Sequence, residues 1–407
     1  MKSLRYLYRI GYGPSSSHSI GPYRIAKYVL KKFPNAIHFD VTLYGSLALT
    51  GRGHLTDKTI LRTLAPIPTN IIFDYKSKVE HPNTMKIDVY LPNGNHEVVK
   101  AVSVGGGTIH IDGEVDEYEK DVYPERNFGE IRALCLKNNW DLADYVRHYE
   151  GDEIFEYLKE VYDVMMDSID RGLKAKGELP GKLHVQRRAC LFTKSKYKNE
   201  SETGNSFRRI LAYAFAVGEE NASGGKVVTA PTCGSAATMP AVLKFYQRKY
   251  KKPLETVLNA LAVGGVIGNV IKSNASISGA EAGCQAEIGS ACAMAAAAYA
   301  YLKRLDLDGV ECAAEVAMEH SIGSTCDPVG GYVQIPCIER NAVAAIRAVT
   351  SARLAEYAHD TDKVWFDEIV ATMYKTGKDM RRGYRETAKG GLAKEMYSHR
   401  KGEIYGN

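Results

Sequence analysis

The chain has 407 residues, 45% hydrophobic and 25% charged, enough for two or three domains with large cores and far from a disordered or collagen-like composition. Lys and Arg number 53 against 48 Asp and Glu, a net charge of +5. The basic residues are scattered among acids, which argues against a nucleic-acid partner. The longest wholly apolar run, Ala291 to Leu302, falls short of a membrane span, and the N-terminus lacks the apolar stretch of a signal peptide. The reading is a cytoplasmic protein with no membrane partner.

Along the chain, Gly21 to Phe33 has helical spacing through Ile25, Val29, Leu30 and Phe33, and Pro34 stops it. Strand-like runs follow at Ile37–Tyr44, Asn70–Tyr75, Met85–Leu91 and Val98–Val104, with a hairpin signal at Pro92-Asn93-Gly94-Asn95. The triple glycine 105–107 closes the fourth run where the backbone must turn or approach something closely. An acidic stretch from Glu114 to Asp121, then Pro124, marks a boundary. Beyond it helical patterns dominate: Asn138–Tyr149, Asp152–Leu173, Phe207–Gly218, Ala236–Gln247, Leu254–Ile271, Gly283–Leu302, Val310–Ser321 and Ile338–His359. The expected fold is α+β, with a small α/β domain over 1–128 and a larger, largely α-helical domain over 129–407.

Four irregular segments rich in small and polar residues are candidates for chemistry. The first, Gly13-Pro14-Ser15-Ser16-Ser17-His18-Ser19, offers hydroxyls, an imidazole and backbone amides ahead of a helix start. That texture suits a bound carboxylate or phosphate, and equally a capping loop. The second, Tyr44 to Asp57, has glycines on either side of Arg52 and just before His54, which let a polar group project from a strand end; His54 reads as a general base or as an ordinary surface or core imidazole. The third, Ala230-Pro231-Thr232-Cys233-Gly234-Ser235, reads as a binding loop opening a helix or as plain capping. The fourth combines Ser276–Glu287, Glu319–Gly331 and Ile335–Asn341, and carries Cys284, Cys326 and Cys337. Cys284 and Cys337 stand near predicted helix N-termini, where the dipole favours a thiolate, and Pro336 is placed as the first helical residue. Three such thiols suit a metal or an iron–sulfur cluster, while a buried small hydrophobe is the ordinary reading of each one singly. No Cys-x-x-Cys pair occurs, which argues against a zinc ribbon or a thioredoxin-type site.

Taken together, these segments resemble the iron–sulfur-dependent L-serine dehydratases. The resemblance rests on Gly13–His18, Gly51-Arg52-Gly53-His54-Leu55-Thr56-Asp57, Asn274–Gln285, Cys326–Gly331 and Val333–Asn341. Leu179-Pro180-Gly181, Thr376–Met380 and Tyr384–Ala393 add to it, so that it covers nearly the whole chain in a β-then-α order. It implies a 4Fe–4S cluster on Cys284, Cys326 and Cys337, with one iron lacking a protein thiolate. It also implies His54, or His18, as the base that takes the Cα proton. Ser15, Ser16, Ser17, Thr232, Gly234 and Ser235 are then expected at the substrate, without pyridoxal phosphate, and the enzyme is expected as a homodimer.

Some relatives end in a cysteine that reaches back to the cluster, whereas this sequence ends Glu403-Ile404-Tyr405-Gly406-Asn407. Water, substrate or another thiol is then expected on the fourth iron. Two rival readings are an L-cysteine desulfidase and a non-catalytic iron–sulfur electron-transfer protein. The latter needs a fourth ligand, for which Cys233, Cys292 and Cys312 are the spare thiols.

Overall fold

The computed structural model describes residues 1–112, 121–194, 199–387 and 390–396. Most of the expected acidic boundary (113–120) and the final residues 397–407 lie outside the described residues. The first part comprises β1 (Ile10–Tyr12), α1 (Gly21–Lys32), β2 (His38–Tyr44), α2 (Gly45–Thr50), α3 (Thr56–Leu64), β3 (Thr69–Asp74), β4 (Thr84–Tyr90), β5 (His96–Gly105) and β6 (Thr108–Ile111). Strands β2 to β6 form one sheet in the order β3-β2-β4-β5-β6, parallel between β2 and β3 and antiparallel elsewhere. Alternation along β2 sends Phe39, Val41 and Leu43 into a core with Ile25 and Val29 of α1 and Ile60 and Leu64 of α3. A parallel pair needs a crossover connection, and here α2 and α3 supply it. His54 sits in the turn between them. The segment from Tyr44 to Asp57, which reads as loop in the sequence, is therefore mostly helical.

The predicted hairpin joins β4 to β5, with Leu91 N–H donating to Asn95 at 3.0 Å. The triple glycine turns β5 into β6, and Gly106 and Gly107 adopt positive φ while their carbonyls accept from Arg9 and Arg24.

The remainder is helical: α4 (Phe128–Asn138), α5 (Leu142–Glu150), α6 (Glu153–Lys174), α7 (Ala189–Lys194), α8 (Glu202–Ala222), then β7 (Lys226–Val228), α9 (Thr238–Tyr250), α10 (Leu254–Asn274), α11 (Gly279–Ala282), α12 (Ser290–Leu302), α13 (Leu307–Glu319), α14 (Cys337–Ala358) and α15 (Phe366–Asp379). The α+β expectation holds. Some boundaries differ, for local reasons. The helix expected over 138–149 starts only at Leu142, because Asn138 ends α4 with left-handed Asn139 as its cap and Asp141 caps α5 by accepting from Ala143 and Asp144 N–H. The helix expected from Gly283 starts later: Gly283 has φ +75°, and a single wide turn, Gln285–Gly289, leads into α12. Pro336 stands just ahead of α14 as its cap.

Helix α12 is the centre of the helical core. Its alanines let α9, α10, α13 and α14 approach closely, and all its residues except Tyr301 are buried. Helix α10 is long and apolar enough to cross a membrane by length and composition, and it too is packed inside the protein, buried continuously from Ala260 to Ile271. The N-terminal segment belongs to this core as well. Leu4, Leu7 and Tyr8 pack on the glycine face of α10, where a Cβ at Gly268 would lie 2.7 Å from Leu7. Strand β1 pairs antiparallel with β7, Ile10 opposite Val228.

Candidate active site

Cys337 is the first residue of α14, and Cys284 immediately precedes the turn into α12, so both thiols stand at helix starts as expected. Cys326 lies between α13 and α14 and is held by its backbone. Its N–H donates to Tyr384 at 2.8 Å, and its carbonyl accepts from Glu386 N–H at 2.7 Å. Cys284 and Cys326 are buried and Cys337 is partly exposed. Burial pushes the Cys284 thiol up to about 11. Burial raises Cys326 and Cys337 further, reinforced by nearby acidic charge and by the other thiols of the trio. The three thiols are thus mutual electrostatic neighbours. Among the described residues no three Cys, His, Asp or Glu side chains converge tightly enough to hold a single metal ion.

Around them lie residues that sequence reasoning did not single out. Arg340, one turn into α14, bonds Asp327 at 3.0 Å and interacts with the Cys284 thiol. Asn341 is buried and ties two loops to the helix start. Its amide donates to the carbonyls of Gly234 (2.7 Å) and Cys337 (2.9 Å), while its oxygen accepts from Ala237 N–H and the Thr238 hydroxyl. Glu287, within the wide turn after Cys284, accepts the Thr232 hydroxyl at 2.7 Å on Oε1, and the Cys326 thiol faces Oε2 at 3.7 Å. Two glycines make room for it. A Cβ at Gly279 would sit 2.6 Å from Glu287 Oε2 and 2.9 Å from Cys326 Sγ, and one at Gly234 would sit 3.1 Å from Glu287 Oε1.

The histidines form the other half. The rings of His18 and His54 lie 4.6 Å apart. His18 is bonded at both nitrogens, Nδ1 to the Ser17 hydroxyl and Nε2 to the Ser46 hydroxyl, each at 2.9 Å. Its carbonyl accepts from the Thr56 hydroxyl at 2.5 Å, and the Ser19 hydroxyl donates to the His54 carbonyl at 2.9 Å. His54 Nδ1 is buried and has no hydrogen-bond partner. Burial drives His18 down to about 3, helped by the neighbouring His54, and burial also lowers His54 below its ordinary 6.5.

The halves meet through the two hydroxyl-rich loops. The Ser16 hydroxyl accepts Cys233 N–H at 2.9 Å, and Thr232, the next residue back, reaches Glu287 and so Cys326. Of the hydroxyls expected at the substrate, Ser15 caps the turn by accepting His18 N–H, Ser16 ties the loops together, and Ser17 holds His18. Ser235 is wholly buried and bonds within its own loop. Of the spare thiols, Cys292 is buried between α12 and α14 and donates to the Ala344 carbonyl at 3.3 Å, and Cys312 is buried on α13. Cys233 is buried beside Ser16 and within reach of the Glu287 charge, and burial pushes its thiol to about 12.

Comparison with known proteins now adds a chemical frame. Residues 3–67 match the family model described as serine dehydratase beta chain, and residues 77–393 the one described as serine dehydratase alpha chain. The five-stranded sheet draws β2 from the first match and β4 to β6 from the second, with β3 lying between the two. The chain is 38% identical to the L-serine dehydratase TdcG of Escherichia coli, over 95% of this chain and 97% of that protein. It is 40% identical to an L-serine dehydratase of Streptomyces coelicolor over the same shares. With that of Haemophilus influenzae it shares 38% over 97% of this chain and 99% of the relative.

Proposed function

We propose, from the premise that this chain belongs to the serine dehydratase family, how its residues carry out the L-serine ammonia-lyase reaction that its relatives' names describe. The observation that carries the reading is the continuity of the site. The turn of His54, whose buried Nδ1 is unpartnered, is held by Ser19 of the serine loop. Ser16 ties that loop to Cys233, and Thr232 beside it reaches Glu287 and so Cys326 of the thiol trio.

The thiols fit an iron–sulfur cluster better than a single ion. They are soft donors, two of them at helix starts, near enough to feel one another yet not gathered about one point. The glycine at 279 leaves the space beside Cys326 open. Cys284, Cys326 and Cys337 would hold a 4Fe–4S cluster, and the raised thiols would ionise on binding it. Such a cluster, with one iron free of protein thiolate, supplies a Lewis acid toward the β-hydroxyl, a poor leaving group near neutral pH.

His54 acts as the base. It is neutral at working pH, and Nδ1 is free to take the Cα proton. The Cα–H electron pair becomes the Cα=Cβ bond, and the β-hydroxyl takes up a proton and leaves as water. The aminoacrylate tautomerises and is hydrolysed to pyruvate and ammonia. His18, occupied at both nitrogens, positions His54 by packing against it with its ring tilted 37°. Ser15 and Ser17, half-buried beside the imidazoles, face the substrate carboxylate, while Thr232 borders the substrate through Glu287 and Gly234 and Ser235 shape the Thr232 loop. The enzyme acts as a cytoplasmic homodimer.

The test is pyruvate release from L-serine by protein reconstituted anaerobically with iron and sulfide, with L-cysteine in parallel. Turnover of L-serine that needs iron and sulfide and fades in air is the expected result. Pyruvate and sulfide from L-cysteine with L-serine inert, or a loaded protein inert toward both, overturns the reading.

A further inference from the structure

Glu287 is a carboxylate of the site with no assigned work, and Glu386 adds a second acidic group beside it and the thiols. It lies on the wide turn between Cys284 and α12, keeps part of its surface open, and points into the junction between the thiols and the hydroxyl loops. Its two oxygens touch a hydroxyl and a thiol, at 2.7 and 3.7 Å. Neither neutralises a charge. Arg340 acts on the carboxylate only at a distance, its guanidinium being bonded to Asp327 and the Thr325 carbonyl and interacting with Cys284. Two glycines, at 234 and 279, lie where any side chain would crowd the carboxylate. An anion withdrawn from water and flanked by cleared space is most stabilised by a small cation that brings its own donors. An ammonium group has three.

We infer that Glu287 receives the α-ammonium of the substrate, so that the site selects α-amino acids over the corresponding acids without nitrogen. The assignment rests on the dehydratase reading and deepens it. With the ammonium on Glu287 and the carboxylate on the serine hydroxyls, Cα is fixed by two charged ends, and its hydrogen is left for the imidazole half of the site. Thr232 has a positioning part: by donating to Oε1 it fixes the carboxylate's rotation.

The experiment compares inhibition of L-serine turnover by L-alanine and by propionate, which differ only in the ammonium group, in wild type, Glu287→Gln, Glu287→Asp and Thr232→Val. Cluster absorption is recorded for each. Wild type should bind L-alanine more tightly than propionate. Glu287→Gln preserves the hydrogen bond from Thr232 but removes the charge, so it should lose that preference by about tenfold or more and raise KM for L-serine with a smaller change in kcat. Glu287→Asp should keep most of the preference, and Thr232→Val should lose part of it. An unchanged preference in Glu287→Gln, or equal damage in Glu287→Asp, overturns the assignment. If Glu287→Gln does not fold, an unchanged preference in Thr232→Val overturns it instead. Wild type that makes no pyruvate from L-serine overturns the dehydratase reading, and this assignment with it. Active wild type without the L-alanine preference overturns this assignment alone.

Discussion

The two halves of the site are built in different ways. The thiol half is anchored by backbone: helix starts fix Cys284 and Cys337, and Cys326 is clamped at both its N–H and its carbonyl. The histidine half is anchored by side-chain hydroxyls, with Ser15, Ser17, Ser46, Ser19 and Thr56 each contributing a bond. Ligands to a shared cluster must hold one fixed spacing, which main-chain geometry supplies. A base must carry a particular protonation state, which hydroxyl partners and burial tune. The lesson is a division of labour between rigid placement and adjustable electrostatics.

The sharpest way to break this comparison is to remove a thiol. Cys284→Ala, Cys326→Ala and Cys337→Ala should each lower iron and sulfide content after reconstitution and abolish pyruvate formation. A variant that keeps a full complement of iron and sulfide would remove that residue from the ligand set. His54→Gln should act oppositely, keeping iron and sulfide while costing about 10²- to 10⁴-fold in kcat, the usual range for a lost general base. Loss of the cluster in that variant would show that the halves are not separable.

The pH profile sharpens the electrostatic side. Burial disfavours the protonated imidazolium of His54, so its base form persists below the ordinary 6.5. The acid limb of kcat/KM should therefore fall below that value, with activity lost as pH drops through it. A limb at or above 6.5 would contradict a buried neutral base. Smaller effects are expected at the seams. Asn341→Ala leaves the Gly234 and Cys337 carbonyls without their amide donor and should cost about 1–3 kcal/mol in denaturant unfolding. Ser16→Ala removes one bond between the halves, about 0.5–1.5 kcal/mol. In a double-mutant cycle it should couple to Thr232→Val more strongly than to Ser46→Ala.

Much of this arrangement was legible in advance, for reasons that differ by residue. Four of the five sheet strands, β2 to β5, announced themselves by alternation, as in Phe39, Val41 and Leu43, whereas the four-residue β6 did not, and the long helices showed in their apolar spacing. Cys337 follows a proline and opens a helix, a local signal. The strands β1 and β7 are three residues each, too short to show a period, and their pairing joins segments that only the folded chain brings together. Helices α4 and α15 escaped notice as well; α4 carries only a weak apolar stripe, with just three of its residues buried. Glu287 was hidden for a stricter reason. Its neighbours Gln285, Ala286, Ile288 and Gly289 carry no signature, and its significance comes from Thr232 and Cys326, each dozens of residues away. The serines illustrate the converse: their chemistry was visible, but that Ser15, Ser16 and Ser17 would be engaged in holding the loop, the turn and His18 could be read only from geometry.

The N-terminal segment has a consequence for how the molecule is made. Leu4, Leu7 and Tyr8 emerge from the ribosome first, yet their seat is the glycine face of α10, and the partner of β1 is β7, both more than two hundred residues downstream. At about 5–20 residues per second, the opening segment waits on the order of ten to fifty seconds for its site to be synthesised. Until then Leu4, Leu7 and Tyr8 have no cover from α10. The nascent chain therefore carries an uncovered apolar segment at its N-terminus past the midpoint of translation, and a helix made late closes it.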